Sequence, residues 1–497
     1  MFDDAYRRAN EALHPALRLQ QDTIAAMERR KRPARRRWPI YITATAVVLA
    51  LVLLFTGLPG LDGDSGGGVM SLSAYAISEP AYPAFPQRIN ADHQAREDYY
   101  GEYRTYREEL GLIEEFDADF AAKVGDFSAE TSQLLLTGVG ENRLYSPVSF
   151  WIALAMLAET TGGGSRQQIL EAMGVEDIEA LRTGTQALWR RLYRDNGVSA
   201  TRLASSLWLN ERFTYFEEPL NTLSDCYYAG SYAVDMGTEE ADQAIAAWID
   251  VQTENLLQEN TSGIETKALT ALRLYSTIYY YGGWSSAFNE AENTEDIFTR
   301  ADGTEVTATF MHRTQEASAL IGDTFTAGYL GTENTTIYFV LPHEDVTVEE
   351  VLSEDALWER LFDREQWENR EVEWSLPKFD VQSDLELQET MEALGITDVF
   401  DEALADFSPL IDEEALAAQG LTPPVLNVAH QAARLEVDEE GIRAVAYTEL
   451  GGDTTSDAPP PVETVMMDLD RPFLVVISSP VEGVPLFVGV IHDPTAS

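Results

Sequence analysis

Six histidines, one cysteine and 84 carboxylates are the groups in this 497-residue chain that could do chemistry, and their spacing supports little of it. None of His14, His93, His312, His343, His430 and His492 falls in an HExxH frame, so a zinc hydrolase of that kind is excluded. A single cysteine, Cys226, permits neither a CxxC pair nor an internal disulfide. Gly162-Gly163-Gly164 lacks the following Lys-Ser/Thr that a phosphate-cradling loop needs. The carboxylates are so numerous that pairs arise by chance, and no glycosidase dyad stands out. No enzyme, cofactor or metal site is expected.

What the chain offers instead is a segment patterned for two conformations. From Gly441 to Leu450 the residues alternate. Ile442, Ala444, Ala446 and Thr448 are small or apolar, whereas Arg443, Val445, Tyr447 and Glu449 are mostly bulkier or charged. That is the period of a strand with one face buried and one wet. Yet the segment runs into Gly451, Gly452, Asp453, Thr454, Thr455, Ser456, Asp457, Ala458 and three prolines, which is loop chemistry. A surface loop already carrying a strand's rhythm implies a switch.

The elements around it must supply a scaffold. At 45% hydrophobic residues the chain builds a real core. Net charge is −50, a surface that repels nucleic acid, so no nucleic-acid partner is expected. Residues 1–37 end in a basic cluster, Arg29 to Arg37, and are read as a cytoplasmic tail. Trp38 to Leu58 is a run of 21 residues without a charge, long enough to span hydrocarbon. The basic flank places the N-terminus in the cytoplasm and the rest outside the cell, in a single-pass arrangement. The rival, a cleaved signal peptide, would need an unusually long leading region. Residues 59–116 begin with the flexible Gly63–Gly68 stretch and are read as a linker, with Glu97 to Glu115 a candidate helix. The globular domain is expected over 117–497. Asp117–Thr137 reads as its first amphipathic helix, and Ser149 as the N-cap of an apolar helix over Phe150–Leu157.

Several stretches together resemble the serpins, in a membrane-anchored, bacterial-type form. They are Ser146-Pro147-Val148-Ser149, Leu274–Trp284, Leu376-Pro377-Lys378-Phe379, Leu394–Leu410, the Glu439-Glu440-Gly441 run with its alanines, and Arg471-Pro472-Phe473. The resemblance implies an α+β fold: a large, mostly antiparallel sheet A, sheets B and C, eight to nine helices and an exposed reactive loop. It implies a hinge over Glu439, Glu440, Gly441, Ile442, Arg443, Ala444, Val445, Ala446, Tyr447 and Thr448. Ser146, Ser149, Ser276 and Gln431 would form a polar cluster beneath the sheet, with Trp284 at its top. Ser276 stands where the family usually has Asn, and Gln431 where it usually has His. By the same resemblance the chain inhibits serine proteases, with cysteine proteases as further targets, by presenting a bait bond. The family's spacing puts that bond at Thr455–Ser456, with Asp457 and Ala458 as alternatives. The small, acidic window suits elastase- or subtilisin-like partners. The competing expectation is a non-inhibitory binding or structural protein of the same fold.

Overall fold

Met1–Val69 and Met70–Ser497 are separate units. The computed structural model describes residues 72–88, 93–138, 140–261, 263–333, 335–354, 356–426, 428–442 and 463–496. The Trp38–Leu58 span, the hinge residues from Arg443 to Thr448 and the Thr455–Ala458 window all lie outside these. Among the described residues no helix is long and apolar enough to cross a membrane.

At the centre is helix α3 (Pro147–Thr160), nearly every side chain of which is buried. Its start corrects the reading of Ser149 as the cap. Ser146 is the N-cap, its hydroxyl accepting from the Ser149 amide at 3.2 Å. Pro147 explains the shift, because its fixed φ and missing N–H suit the first helical position. Around α3 lie α1 (His93–Glu109), α2 (Ala118–Leu136), α4 (Gly163–Ala172), α5 (Ile178–Leu192), α6 (Glu217–Tyr227) and α7 (Glu239–Gln252). After these come α8 (Gln258–Thr261) and four more helices of six residues or fewer. The described residues thus hold twelve helices rather than eight or nine. The surplus is short turns, which carry no 3.6-residue apolar period long enough to read.

The large sheet runs in the order β1 (Ala76–Ser78), β5 (Ala229–Val234), β4 (Ala200–Asn210), β6 (Leu272–Gly283), β14 (Gly441–Ile442), β13 (His430–Val437) and β12 (Phe379–Glu386). A further short strand, β3 (Arg194–Asp195), pairs with β4. Only β4 and β5 run parallel, so the sheet is mostly antiparallel, as expected. The expected sheets B and C are joined into one nine-stranded run. It comprises β2 (Arg143–Tyr145), β7 (Thr294–Thr299), β8 (Glu305–Ile321), β9 (Phe325–Gly331), β10 (Thr336–Pro342), β11 (Glu368–Pro377), β15 (Thr464–Asp468), β16 (Phe473–Ser478) and β17 (Pro485–Ile491). The 17-residue β8 is the join: it pairs with β7 and β11 along most of its length and with β9 at Leu320–Ile321.

Part of the stretch read as a linker is structured. β1 adds an edge strand to β5. Tyr82 stacks with Trp189, Tyr193 and Tyr228, at 5.7 to 6.4 Å between ring centroids. Phe85 packs on Tyr106 of α1 at 4.8 Å. Aromatic bodies of this size supply most of what such a segment needs to hold its place.

Candidate functional site: a strand-wide slot in the large sheet

The large sheet is split. Among the described residues β6 and β13 share no ladder, and the two-residue β14 is all that joins them. Gly441 pairs with Gly283 and Ile442 with Gly282 on one side, while Ile442 pairs with Val437 on the other. Below that bridge, β6 is only half-buried from Arg273 to Ile278, although it lies mid-sheet. Its neighbour β4 is buried along nearly its whole length. A cavity of about 340 Å³ opens there, between Tyr275, Ser276 and Thr277 on one wall and Gln431 and Ala432 on the other, roofed by Leu257 and Ile264. A sheet normally leaves no such gap between central strands, because it strands N–H and C=O groups on both walls.

The upper end of the slot is a hairpin locked by polar contacts. Glu439 and Glu440 form its two-residue turn, closed by Asp438 N–H donating to the Gly441 carbonyl at 3.1 Å. The Asp438 carboxylate accepts from the Glu440 and Gly441 amides at 2.8 and 3.1 Å, the self-bonding turn that Asp favours. Trp284, buried, donates its indole N–H to the Asp438 carbonyl at 2.8 Å, and its amide donates to the Glu440 carbonyl at 2.9 Å. Glu439 is held by Lys378 at 2.8 and 3.0 Å and by Asn293 at 2.6 Å. Gly441 has φ +153°, and a Cβ there would sit 2.5 Å from the Gly282 carbonyl oxygen and 2.6 Å from Gly283 Cα. Only glycine fits.

The polar cluster sits beneath the middle. Gln431, on β13, accepts from the Ser146 amide at 2.8 Å and donates to the Ser146 carbonyl at 3.0 Å. Ser149 donates to the Ser276 carbonyl, on β6, at 2.8 Å. The Ser276 hydroxyl accepts from Ser205 at 3.3 Å. The two walls are thus fastened separately to one helix start, whose own Ser149–Ser146 bond links them. His430 points the other way, exposed, 3.3 Å from Asp384.

Ser146, Ser149, Ser276 and Gln431 come together as one cluster, and Trp284 joins the hinge. Sequence reading gave no role to Lys378, Asn293, Asp438 or Ser205. Lys378 and Glu439 are 61 positions apart, a separation at which no spacing rule operates. Asp438 alone carried a local signal, since Asp two residues before a turn amide is a common bonding partner. One string, Gly63-Asp64-Ser65-Gly66-Gly67, has Gly-x-Ser-x-Gly spacing, and it lies outside the described residues.

Charge sets a pH window for the lock. Burial works to raise the Glu439 carboxyl, but bonds from Lys378, its own backbone and Asn293 outweigh it and hold it below the usual range. Lys378 is pushed up, chiefly by its bond to Glu439. The carboxylate's contribution is therefore present above its unfolded pKa of about 4.3 and fades as pH falls through the lower folded value. That of the ammonium is full below its unfolded pKa, about 10.4, and fades as pH rises through the higher folded value. The stability gap between the wild type and Glu439→Gln, read from denaturant midpoints, is expected to stay constant from about pH 5 to pH 10 and to close below about pH 4.

The family profile described as Serpin (serine protease inhibitor) matches residues 122–494, and the chain belongs to the serpin family. Hibernation-specific plasma protein HP-55 of Tamias sibiricus is 30% identical over 366 residues, covering 71% of this chain and 83% of that protein. Neuroserpin of Mus musculus is 28% identical over 382 residues, covering 72% and 87%. Among solved structures, the thermophilic serpin tengpin in its native state superposes with a TM-score of 0.65 at 24% identity, over 76% of this chain and 95% of tengpin. A thyroxine-binding globulin in complex with thyroxine superposes with a TM-score of 0.63 at 20% identity, over 76% of this chain and 100% of that one. The fold is therefore shared with a protein solved in complex with thyroxine, and fold alone does not decide between inhibition and binding.

Proposed function

We propose that this serpin is a suicide-substrate inhibitor of serine proteases, with cysteine proteases as further targets. A protease attacks the loop at Thr455–Ser456, or at Asp457 or Ala458, and forms an acyl-enzyme. Before water hydrolyses it, the freed segment zips into the slot as a central strand. About 14 residues at roughly 3.4 Å each carry the tethered enzyme on the order of 50 Å, distorting it with the ester unbroken.

The observation that carries this reading is the match between the slot and the chain's own loop. If the register of Gly441 and Ile442 continued downward on insertion, Ala444 would lie between Tyr280 and Leu435, Ala446 between Ile278 and Ala433, and Thr448 between Ser276 and Gln431. Small groups meet the crowded, inward face, and a hydroxyl meets the polar cluster. The outer face would receive Arg443, Val445, Tyr447 and Glu449. Every stranded backbone group on both walls would gain a partner.

The small and acidic bait favours elastase- or subtilisin-like enzymes, since it lacks the basic residue of a trypsin substrate. We place the inhibitor on the cell surface as a membrane-anchored, bacterial-type serpin. The support is the uncharged Trp38–Leu58 run behind its arginine cluster, which would leave residues 1–37 in the cytoplasm and 117–497 outside. Incubation with subtilisin or elastase tests the mechanism. A complex that survives SDS is expected. Two fragments and no complex would point instead to a non-inhibitory binding or structural protein.

A further inference from the structure

We propose that the cavity between α1 and the end of α5 is a binding site for a free tetrahedral oxyanion, phosphate or sulfate. The cavity measures about 60 Å³ and is lined by Tyr103 and Tyr106 of α1, Arg190 and Arg191 of α5, and Arg194 of β3. It shares no residue with the slot. One water needs roughly 10–15 Å³, so there is room for about four waters or one such ion, and not for a polymer.

No carboxylate lines the cavity, in a chain with 84 acids against 34 lysines and arginines. Among the described residues Arg190 and Arg191 form no ion pair. Arg190 donates to the Tyr228 hydroxyl at 2.8 Å, and Arg191 to the Glu114 carbonyl. Arg194 has only Glu333, 3.6 Å away, which Arg88 already holds at 2.7 Å and Asn196 at 3.1 Å. Burial, and then the charge of Arg107, hold the Arg191 guanidinium below its ordinary value. Aromatic faces compensate in part: Phe116 lies 5.4 Å from Arg191, and Phe85 5.6 Å from Arg194. A ring face attracts a cation but leaves its in-plane N–H groups unpaired.

Three of the lining side chains carry buried polar atoms without a partner: the Tyr106 hydroxyl, Arg191 Nε and Arg194 Nε. Tyr106 is only 7% exposed. Burial pushes its phenol far above the ordinary value, so it keeps a proton to donate. Buried donors are nearly always paired. A tetrahedral oxyanion supplies the acceptor that each of these three lacks. Arg107, Arg190 and Arg191 stand in the last turns of α1 and α5, where a cation suits the helix dipole. The dipole accounts neither for the void between them nor for the orphaned hydroxyl. Bound there, the ion fastens α1 to α5 and β3.

Calorimetric titration of the dialysed full-length protein with inorganic phosphate, in chloride buffer at constant ionic strength, tests this. One saturable site per chain is expected, from which sulfate competes and added chloride does not. Tyr106→Phe removes only the unpaired hydroxyl, so its melting temperature without phosphate should not fall. Its phosphate affinity should drop about tenfold, and that of Arg191→Gln by at least as much. The gain in melting temperature that phosphate gives the wild type should shrink in both. Should Arg191→Gln fail to fold, Tyr106→Phe decides alone. Saturable binding that Tyr106→Phe leaves unchanged means an adventitious ion only and overturns the inference. So does the absence of saturable binding, which would mean a void that holds water.

Discussion

With Ala444 and Ala446 both replaced by arginine, the protein is expected to be cut by its target as fast as before and to trap almost none of it. On insertion in the register that Gly441 and Ile442 begin, both positions would face inward, Ala444 between Tyr280 and Leu435 and Ala446 between Ile278 and Ala433. Tyr280 and Ala433 are buried, at 5% and 4% exposure, and Leu435 is at 3%. Tyr280 is also anchored by its hydroxyl, which shares hydrogen bonds with Thr332 and Thr335 at 2.8 Å each. A guanidinium forced into that layer has neither room nor a counter-charge, and burying an unpaired charge costs several kcal/mol. Each 1.4 kcal/mol placed on the insertion barrier slows the step about tenfold. The bait bond lies nine or more residues beyond, so cleavage is untouched. Complex on a gel should fall by two orders of magnitude, with fragments in its place. Undiminished trapping would remove the inward face from the account.

Gly441→Ala is expected to expel the hinge from the sheet. The added methyl group would meet only backbone, with the Gly282 oxygen at 2.5 Å, Gly283 Cα at 2.6 Å and Trp284 N at 2.9 Å, none of which can rotate away. The positive φ is itself costly for alanine. The relief available is to unpair β14 from β6, which exposes Ile442, now 2% accessible, and breaks the Trp284 amide bond to the Glu440 carbonyl. Together these amount to roughly 3 kcal/mol or more of local stability. Amide exchange at Gly441 and Ile442 should accelerate at least a hundredfold, and the stoichiometry of inhibition should rise because zipping must now start from an unpaired end. Exchange no faster than in the wild type would mean that the hinge is not held in the way described.

How far these features could be read beforehand depended on range. The alternation after Gly441, the Ser-Pro-x-Ser turn before the buried helix and the aromatic strand ending at Trp284 are local patterns, and local patterns survive in sequence. Gln431 could be placed by counting back from Gly441, and it does bridge to Ser146. What escaped was non-local. That Gly441 and Ile442 already sit in the sheet depends on two walls more than 150 positions apart in the chain. The Lys378–Glu439 pair and the Asn293–Glu439 bond are likewise non-local, at 61 and 146 positions. Part of residues 59–116 read as a linker because the partners of Tyr82, namely Trp189, Tyr193 and Tyr228, lie more than 100 positions further along the chain. The apolar run beginning at Phe150 points to Ser149 as the cap, whereas Pro147 at the first helical position is the signal that points to Ser146.

The central claim is that the slot between β6 and β13 exists to take the chain's own loop. A crystal structure of the protein after cleavage in the Thr455–Ala458 window tests it most directly. The account predicts a full new strand from Gly441 downward, antiparallel to both walls, with Thr448 packed between Ser276 and Gln431. A slot still open, or a strand in which Thr448 faces outward, would contradict it.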